Sequence, residues 1–292
     1  MRIGTLRHES PLGCWTRRDW RPEHLAGVVD HFWFSEGVVT HPRERILPNG
    51  MVELIVNLGD EPYRLVEGAG SDILTSCLSG VQSAPLVIEG PARHTVLGVR
   101  LHPAGAYALL ARPMREVSGL TADLLDLVGP SASELTGRCH DAASVPEIFR
   151  VAARWVAERV ARARGVDPSI AWAAARIEGS GGTVSITELR QQTGLSKTRL
   201  TTLFREQIGV APKLYARIVR FRRVLAMLDA EAGPLAAIAL DAGYYDQPHM
   251  NAEFRELAGV APREFLATRY PGGVTAADPS ASRGDAEDRL AG

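Results

Sequence analysis

The chain has 292 residues, 45% of them hydrophobic, with 33 Lys and Arg against 34 Asp and Glu for a net charge of −1. That length is comfortable for two domains with sizeable cores, and a near-neutral total excludes nucleic-acid binding driven by bulk charge alone. Three scattered cysteines (Cys14, Cys77, Cys139) without a C-x-x-C pair exclude a zinc ribbon and a disulfide framework, and the lack of an apolar leader or long apolar run predicts a soluble, cytoplasmic chain that meets no membrane.

Residues from about 45 to 102 read as strands. Ile46-Leu47-Pro48-Asn49-Gly50 is a turn signal. Met51 to Leu58, Tyr63 to Val66, Leu86 to Glu89 and His94 to Arg100 are short β-rich runs separated by Gly and Pro. They predict a small barrel or sandwich. From 103 onward the pattern turns helical, with helices expected over Ala104 to Ala111, Ser131 to His140 and Pro146 to Arg164. Gly165-Val166-Asp167-Pro168 marks a boundary. The fold class is therefore α+β: a β-rich domain with flanking helices over 1–165, an all-α domain over 166–270, and a Gly/Ala/Ser/Asp-rich tail, 271–292, expected to lack structure.

The all-α domain reads as seven helices. Pro168 to Glu178 comes first. Ser185 caps the second, with Glu188 three residues later as a capping box. After Thr193-Gly194-Leu195, Ser196 caps the third, Lys197 to Gln207. Ala211-Pro212 opens a long fourth, to about Ala230, and Gly233-Pro234 breaks it. Pro234 to Asp241 is the fifth. After Ala242-Gly243-Tyr244-Tyr245, Asp246 caps the sixth, Gln247 to Leu257, and Pro262 opens the seventh, to about Tyr270.

One phrase occurs twice. Phe204-Arg205-Glu206-Gln207-Ile208-Gly209-Val210-Ala211-Pro212 returns fifty residues later as Phe254-Arg255-Glu256-Leu257-Ala258-Gly259-Val260-Ala261-Pro262, with seven of nine positions identical. Each copy closes a short helix, a glycine turn and a helix with a polar outer face, which is the helix-turn-helix pattern. In the third helix Leu200, Leu203 and Phe204 point in and Lys197, Thr198, Arg199, Thr201, Thr202 and Arg205 stay out. In the sixth, Met250 and Phe254 point in and Gln247, His249, Asn251, Ala252 and Arg255 stay out. Lys, Arg, Gln and Asn hydrogen-bond base edges, and Thr bonds or touches a thymine methyl. A fourth helix of roughly 18 residues spans about 27 Å, close to the ~34 Å between successive major-groove entries, and a shortfall would bend the DNA.

Charge is unevenly placed. Residues 185–225 hold nine basic side chains and two acids, whereas 226–270 hold three and seven. Phosphate neutralisation is expected to concentrate in the first unit and the fourth helix.

The stretch from about Asp167 to Tyr270, roughly a third of the chain, resembles the C-terminal domain of AraC/XylS-type transcription regulators. Gly194-Leu195-Ser196, Leu203-Phe204-Arg205, Gly209-Val210-Ala211-Pro212, Ala242 to Met250 and Phe254 to Phe265 carry the resemblance. It implies a sequence-specific regulator of transcription, not an enzyme, that needs no cofactor. Thr198, Thr201 and Thr202 of the first recognition helix and Gln247, His249 and Asn251 of the second would meet bases. Threonines stand where Arg or Gln is frequent, and Ala252 where Arg is frequent, which implies weaker direct readout. The implied partners are double-stranded DNA, a small effector, a second copy of the chain and, for an activator, RNA polymerase. Pro48-Asn49-Gly50, Glu53 to Asp60, Ser79 to Gln82 and Gly98 to Ala106 resemble the domain that precedes this module in a subset of regulators.

Chemistry in the first half stays open at this point. His31, His41, His94 and His102 with Glu53 raise a metal site, but no H-x-H pair with a nearby Glu stands behind it. No G-x-S-x-G, H-E-x-x-H or phosphate loop occurs. Cys14 beside Trp15 and Arg17-Arg18 raises a redox or alkylation sensor, because nearby cations lower a thiol pKa. An effector pocket lined by residues such as Trp33, Met51, Leu54, Val87 and Val99 is the third possibility.

Overall fold

The computed structural model describes residues 1–163, 165–268 and 275–277. In chain order the first half runs β1 Gly4–Ser10, β2 Gly13–Trp20, β3 Val29–Val39, β4 Arg43–Ile46, β5 Val52–Asn57, β6 Tyr63–Glu67, β7 Ala69–Gly70, β8 Ile73–Leu74, β9 Ser76–Ser79, β10 Leu86–Glu89, β11 Arg93–Leu101, α1 Pro103–Leu110, β12 Leu120–Asp123, α2 Leu124–Val128, α3 Ser131–His140 and α4 Val145–Val160. The second half runs α5 Pro168–Gly179, α6 Ile186–Thr193, α7 Lys197–Gln207, α8 Pro212–Asp229, α9 Leu235–Asp241, α10 Gln247–Ala258, α11 Pro262–Thr268 and β13 Thr275–Ala277.

The strands form two sheets rather than a closed barrel. One has the order β1-β2-β3-β11-β5-β9-β12-β7 and the other β13-β4-β10-β6-β8. Alternation along the strands gives the larger sheet two different faces. Phe32, Phe34, Leu54, Leu97, Val99 and Leu101 point to one face and are buried against the helices. Phe149 of α4 reaches Phe32 and Trp20 there, at ring-centroid distances of 6.4 and 6.0 Å. Each such side chain contributes roughly 1.5–3 kcal/mol by leaving water. His31, Trp33, Glu53 and Arg100 point the other way, into a cavity. Gly98 makes room for this arrangement, since a Cβ there would sit 1.9 Å from the Trp33 ring.

Strands β1 to β3 lie ahead of residue 45, where strands were expected to begin. The pattern is hidden because β1 is an edge strand and because β2 and β3 aim charged residues inward to the cavity. In the second half the helix ends follow the caps. Oγ of Ser185 accepts from Glu188 N at 3.0 Å, Oγ of Ser196 from Arg199 N at 3.2 Å, and Oδ1 of Asp246 from His249 N at 2.8 Å. The reciprocal half of the capping box does not form, because Glu188 accepts from Arg176 instead, at 2.8 Å. Gly194 takes the left-handed conformation (φ 68°) that the tight turn requires. The repeated phrase acquires a meaning: Phe204 and Phe254 are buried, and Pro212 and Pro262 open the helices that follow.

The halves touch at several points. Arg222 of α8 donates from Nη1 to the Asn49 carbonyl at 2.9 Å. Gly259, just past α10, is packed so closely on Arg45 that a Cβ would fall 2.8 Å from its Nη1. Most of the tail lies outside the described residues, as do Arg269 and Tyr270 at the end of the last expected helix. Three tail residues depart from the expectation of no structure: β13 pairs antiparallel with β4, and Ala276 is buried.

Candidate nucleic-acid interface

The two helices proposed to read DNA carry the expected residues at matching positions. On α7, Lys197, Thr198, Arg199, Thr202 and Arg205 are exposed and Thr201 is half-buried. On α10, His249 and Arg255 are exposed and Gln247 and Asn251 half-buried. A spacing of four residues places Lys197, Thr201 and Arg205 in one row of α7 and Gln247, Asn251 and Arg255 in one row of α10. The rows are themselves fifty residues apart in sequence, so the two helices present equivalent positions. His249 has its ring edge-on to Tyr244, at 5.3 Å. The Asn251 side-chain oxygen is buried with no partner among the described residues.

The expectation that α8 offers its arginines to phosphate needs correction. Arg217 donates to Glu253 at 2.8 Å and to Glu256 at 2.5 Å. Arg220 donates to both Glu253 oxygens at 3.0 Å, and Tyr244 donates to Glu253 at 2.7 Å. Arg222 pairs with Glu178, which also accepts from Tyr215 at 2.6 Å. These guanidinium groups join elements to one another. Arg190, Lys197, Arg199, Arg205, Lys213 and Arg223 remain exposed, so the charge asymmetry between the units is smaller than the count implied. Burial opposes ionisation of Glu253, but its bonds to Arg217 and Tyr244 and the charge of Arg220 hold the carboxyl below the usual range. The sequence carries one signal for this clamp: Glu253 stands fifty residues after the buried Leu203, an acid where the first unit has an apolar side chain.

Comparison with known proteins bears on this geometry. The profile of a helix-turn-helix domain family matches residues 189–268. The arabinose operon regulatory proteins of Salmonella typhimurium and Escherichia coli are each 29% identical over 82 residues, 28% of this chain. The C-terminal unit is a helix-turn-helix domain, similar to part of these arabinose operon regulatory proteins. The chain spans only 29% and 28% of the length of those two relatives. A domain of unknown function (DUF6597) matches residues 22–123, within the first half. Among solved structures, a probable AraC family transcriptional regulator from Rhodopseudomonas palustris is 25% identical with a TM-score of 0.31, covering 35% of this chain and 96% of that one. ToxT from Vibrio cholerae O395 is 13% identical with a TM-score of 0.44, covering 80% and 97%.

Ahead of the helix-turn-helix domain, the two sheets line an open cavity of about 970 Å³. Trp33 and Met51 line it, but Leu54, Val87 and Val99 do not: they alternate to the opposite faces and are buried in the core. Arg222, Leu225, Ala226 and Asp229 of α8 complete the wall, so the long helix that follows α7 touches the cavity directly. Its floor is ionic. Arg17 pairs with Asp19 at 3.0 Å, Arg100 with Glu53 at 2.5 Å, and Arg21 with Asp30 at 3.9 Å. His31 Nδ1 lies 2.7 Å from Asp30, and that bond holds the Asp30 carboxyl at about 2. His94 lies 2.9 Å from Ser35, and burial lowers its pKa. Among the described residues no three His, Cys, Asp or Glu side chains converge as a metal-ligand set. Cys14 is exposed on β2, but the cations expected to activate it are engaged, Arg17 with Asp19 and Arg18 with Glu36 at 2.6 Å. Burial pushes the Cys77 and Cys139 thiols up to about 12. Among the described residues no helix is long and apolar enough to cross a membrane.

Proposed function

We propose that the chain is a cytoplasmic, sequence-specific transcription regulator that binds double-stranded DNA with α7 and α10 in successive major grooves, under the control of a small molecule held in the N-terminal cavity. The observation that carries the reading is the pair of equivalent outward rows, Lys197/Thr201/Arg205 and Gln247/Asn251/Arg255, on helices separated by the 18-residue α8. At 1.5 Å per residue α8 is about 27 Å long, near the spacing of groove entries on one DNA face. Lys197, Arg199 and Arg205 supply phosphate contacts and candidate guanine contacts. Thr198, Thr201 and Thr202 are sized for thymine methyls, and Gln247 and Asn251 for adenine edges, flanked by His249 and Arg255. The lining of the cavity by α8 supports control by a ligand, because an occupant would touch the element that spaces the reading heads.

The test is hydroxyl-radical footprinting of the full-length protein on a selected site. Two protected windows on one DNA face, about one helical turn apart, support the reading. Arg205→Ala should weaken the first window and Arg255→Ala the second. Loss of a single common window in both variants would contradict it.

A further inference from the structure

The cavity face of the larger sheet is ordered in rows. His31, Arg100, Glu53, Ser79 and Thr121 pair in turn across β3, β11, β5, β9 and β12, and all five line the cavity. The neighbouring row, Trp33, Gly98, Ile55 and Cys77, is apolar. At one end of the polar row the ions compensate one another, Arg17 with Asp19, Arg21 with Asp30 and Arg100 with Glu53. The other end is uncharged, and its hydrogen bonds do not close. Gln82 donates from Nε2 to Ser79 Oγ at 3.0 Å and to the Leu120 carbonyl at 3.1 Å. A carbonyl can only accept, which fixes the orientation of the amide and leaves Gln82 Oε1 as a spare acceptor. The Ser79 and Thr121 hydroxyls share one bond of 3.1 Å. Two hydroxyl hydrogens and one bond between them leave one donor over, since the remaining partner of Ser79, Gln82 Nε2, is itself a donor. Among the described residues neither the spare acceptor nor the spare donor is matched. Gln82, Ser79 and Thr121 all line the cavity, and Thr121 is buried.

We propose that the cavity binds an uncharged molecule through an amide-type edge, an N–H beside a C=O, as in a carboxamide or a lactam. The ligand N–H donates to Gln82 Oε1, and its carbonyl accepts from the Ser79–Thr121 hydroxyl pair. This rests on the reading of the cavity as an effector site. A carboxylate only accepts and an ammonium only donates, so each would answer half of the seat. Either would also bring a charge to a place where the nearest ions are already paired, and burying an unpaired charge is costly. The row of Trp33, Ile55 and Cys77, one step along the strands, offers an apolar surface for the body of the ligand. The volume of about 970 Å³ accommodates a drug-sized molecule. The seat also adjoins the DNA-reading half. A Cβ on Gly209, just past α7, would fall 3.2 Å from Oγ of Ser118, three residues ahead of Thr121. The ligand seat and the contact with the first reading head therefore share one short stretch of chain.

The test is isothermal titration of the full-length protein, without DNA, using indole-3-propionamide, its methyl-ester analogue, indole-3-propionate and tryptamine as probes. All four share an indole body. The ester keeps the carbonyl and lacks the N–H, and the last two carry opposite charges. The amide should bind at least about fivefold more tightly than each of the others, the worth of one neutral hydrogen bond. Gln82→Met should weaken the amide by about fivefold or more and abolish its advantage over the ester, in a protein that still melts cooperatively. The amide–ester comparison on the unaltered protein keeps the test independent of how that variant folds. Equal or tighter binding of the ester, the acid or the amine, an amide advantage untouched by Gln82→Met, or no heat from the amide at millimolar concentration would each overturn the proposal. Because no DNA is present, these failures leave the DNA-reading assignment standing. A protein that prefers the amide but selects no DNA sequence would instead contradict the proposed function.

Discussion

Asn251 is under two opposed demands. Its side-chain oxygen is buried without a partner among the described residues, a cost of about 1–3 kcal/mol for a group that water would otherwise satisfy. Its place in the outward row of α10 suits contact with an adenine edge. Asn251→Ala should therefore leave stability unchanged or raise it by about 1 kcal/mol in urea titration, while flattening base preference at one position. Lys197 and Arg199 answer to a different term. Reversing both to Glu should cut affinity for every DNA sequence, by more than about tenfold beyond the Asn251→Ala loss, and should reduce the salt slope. Equal losses from the two sets would contradict the assignment of phosphate contacts to α7. Glu44 predicts a pH dependence. Its folded pKa, about 7, lies above its ordinary value of 4.5. Between those values the unfolded chain loses the proton that the folded chain keeps, so stability falls as pH rises through that window and stays reduced above it. The full effect is up to about 3 kcal/mol, since each pKa unit is worth about 1.4 kcal/mol. Glu44→Gln should thus be more stable than the parent at pH 8 and no more stable at pH 4.5. The same stability difference at both pH values would remove the group from the account.

The elements that present the two recognition rows differ in what holds them. α7 is seated by apolar side chains, Leu200, Leu203 and Phe204. α10 is seated by Met250 and Phe254 together with the Glu253 clamp to Arg217, Arg220 and Tyr244. Removing Glu253 would leave the Arg220 guanidinium without its carboxylate and Arg217 with Glu256 alone, so Glu253→Ala should cost about 3 kcal/mol and loosen α10 on α8. Hydrogen exchange should report the loosening in α10 and not in α7. Because the folded pKa of Glu253 is lowered, its contribution is present above the ordinary carboxylate range and is lost as pH falls through and below it. The bounds of α7 and α10 were legible in the sequence to within a residue at each end. Ser196 and Asp246 are strong caps, a glycine-bearing turn precedes each, and the repeated phrase fixes where they stop. The clamp was obscured because a charge count treats each arginine as free. Strands β1 to β3 were obscured because half of their residues face an ionic cavity, which removes the contrast between polar and apolar faces on which strand reading depends.

At the scale of the whole molecule, α8 belongs to both halves. It joins the two helix-turn-helix units, lines the cavity, and reaches the Asn49 carbonyl through Arg222. Arg222→Ala should loosen the halves against one another, seen as faster proteolytic cutting near Gly165. This arrangement could not be read from the sequence, because the cavity gathers residues from strands far apart in the chain and from α8 more than 170 positions after Asn49. Alternation places Leu54, Val87 and Val99 in the core and Glu53, Ile88 and Arg100 at the cavity, a distinction that needs the register of both sheets. The claim that joins all three scales is that α7 and α10 read DNA together. Selection of bound sequences from random duplexes by the full-length protein tests it most directly. The account predicts an asymmetric site with two half-sites centred about 10–10.5 base pairs apart. Recovery of one half-site alone, unchanged by substitutions in α10, would contradict it.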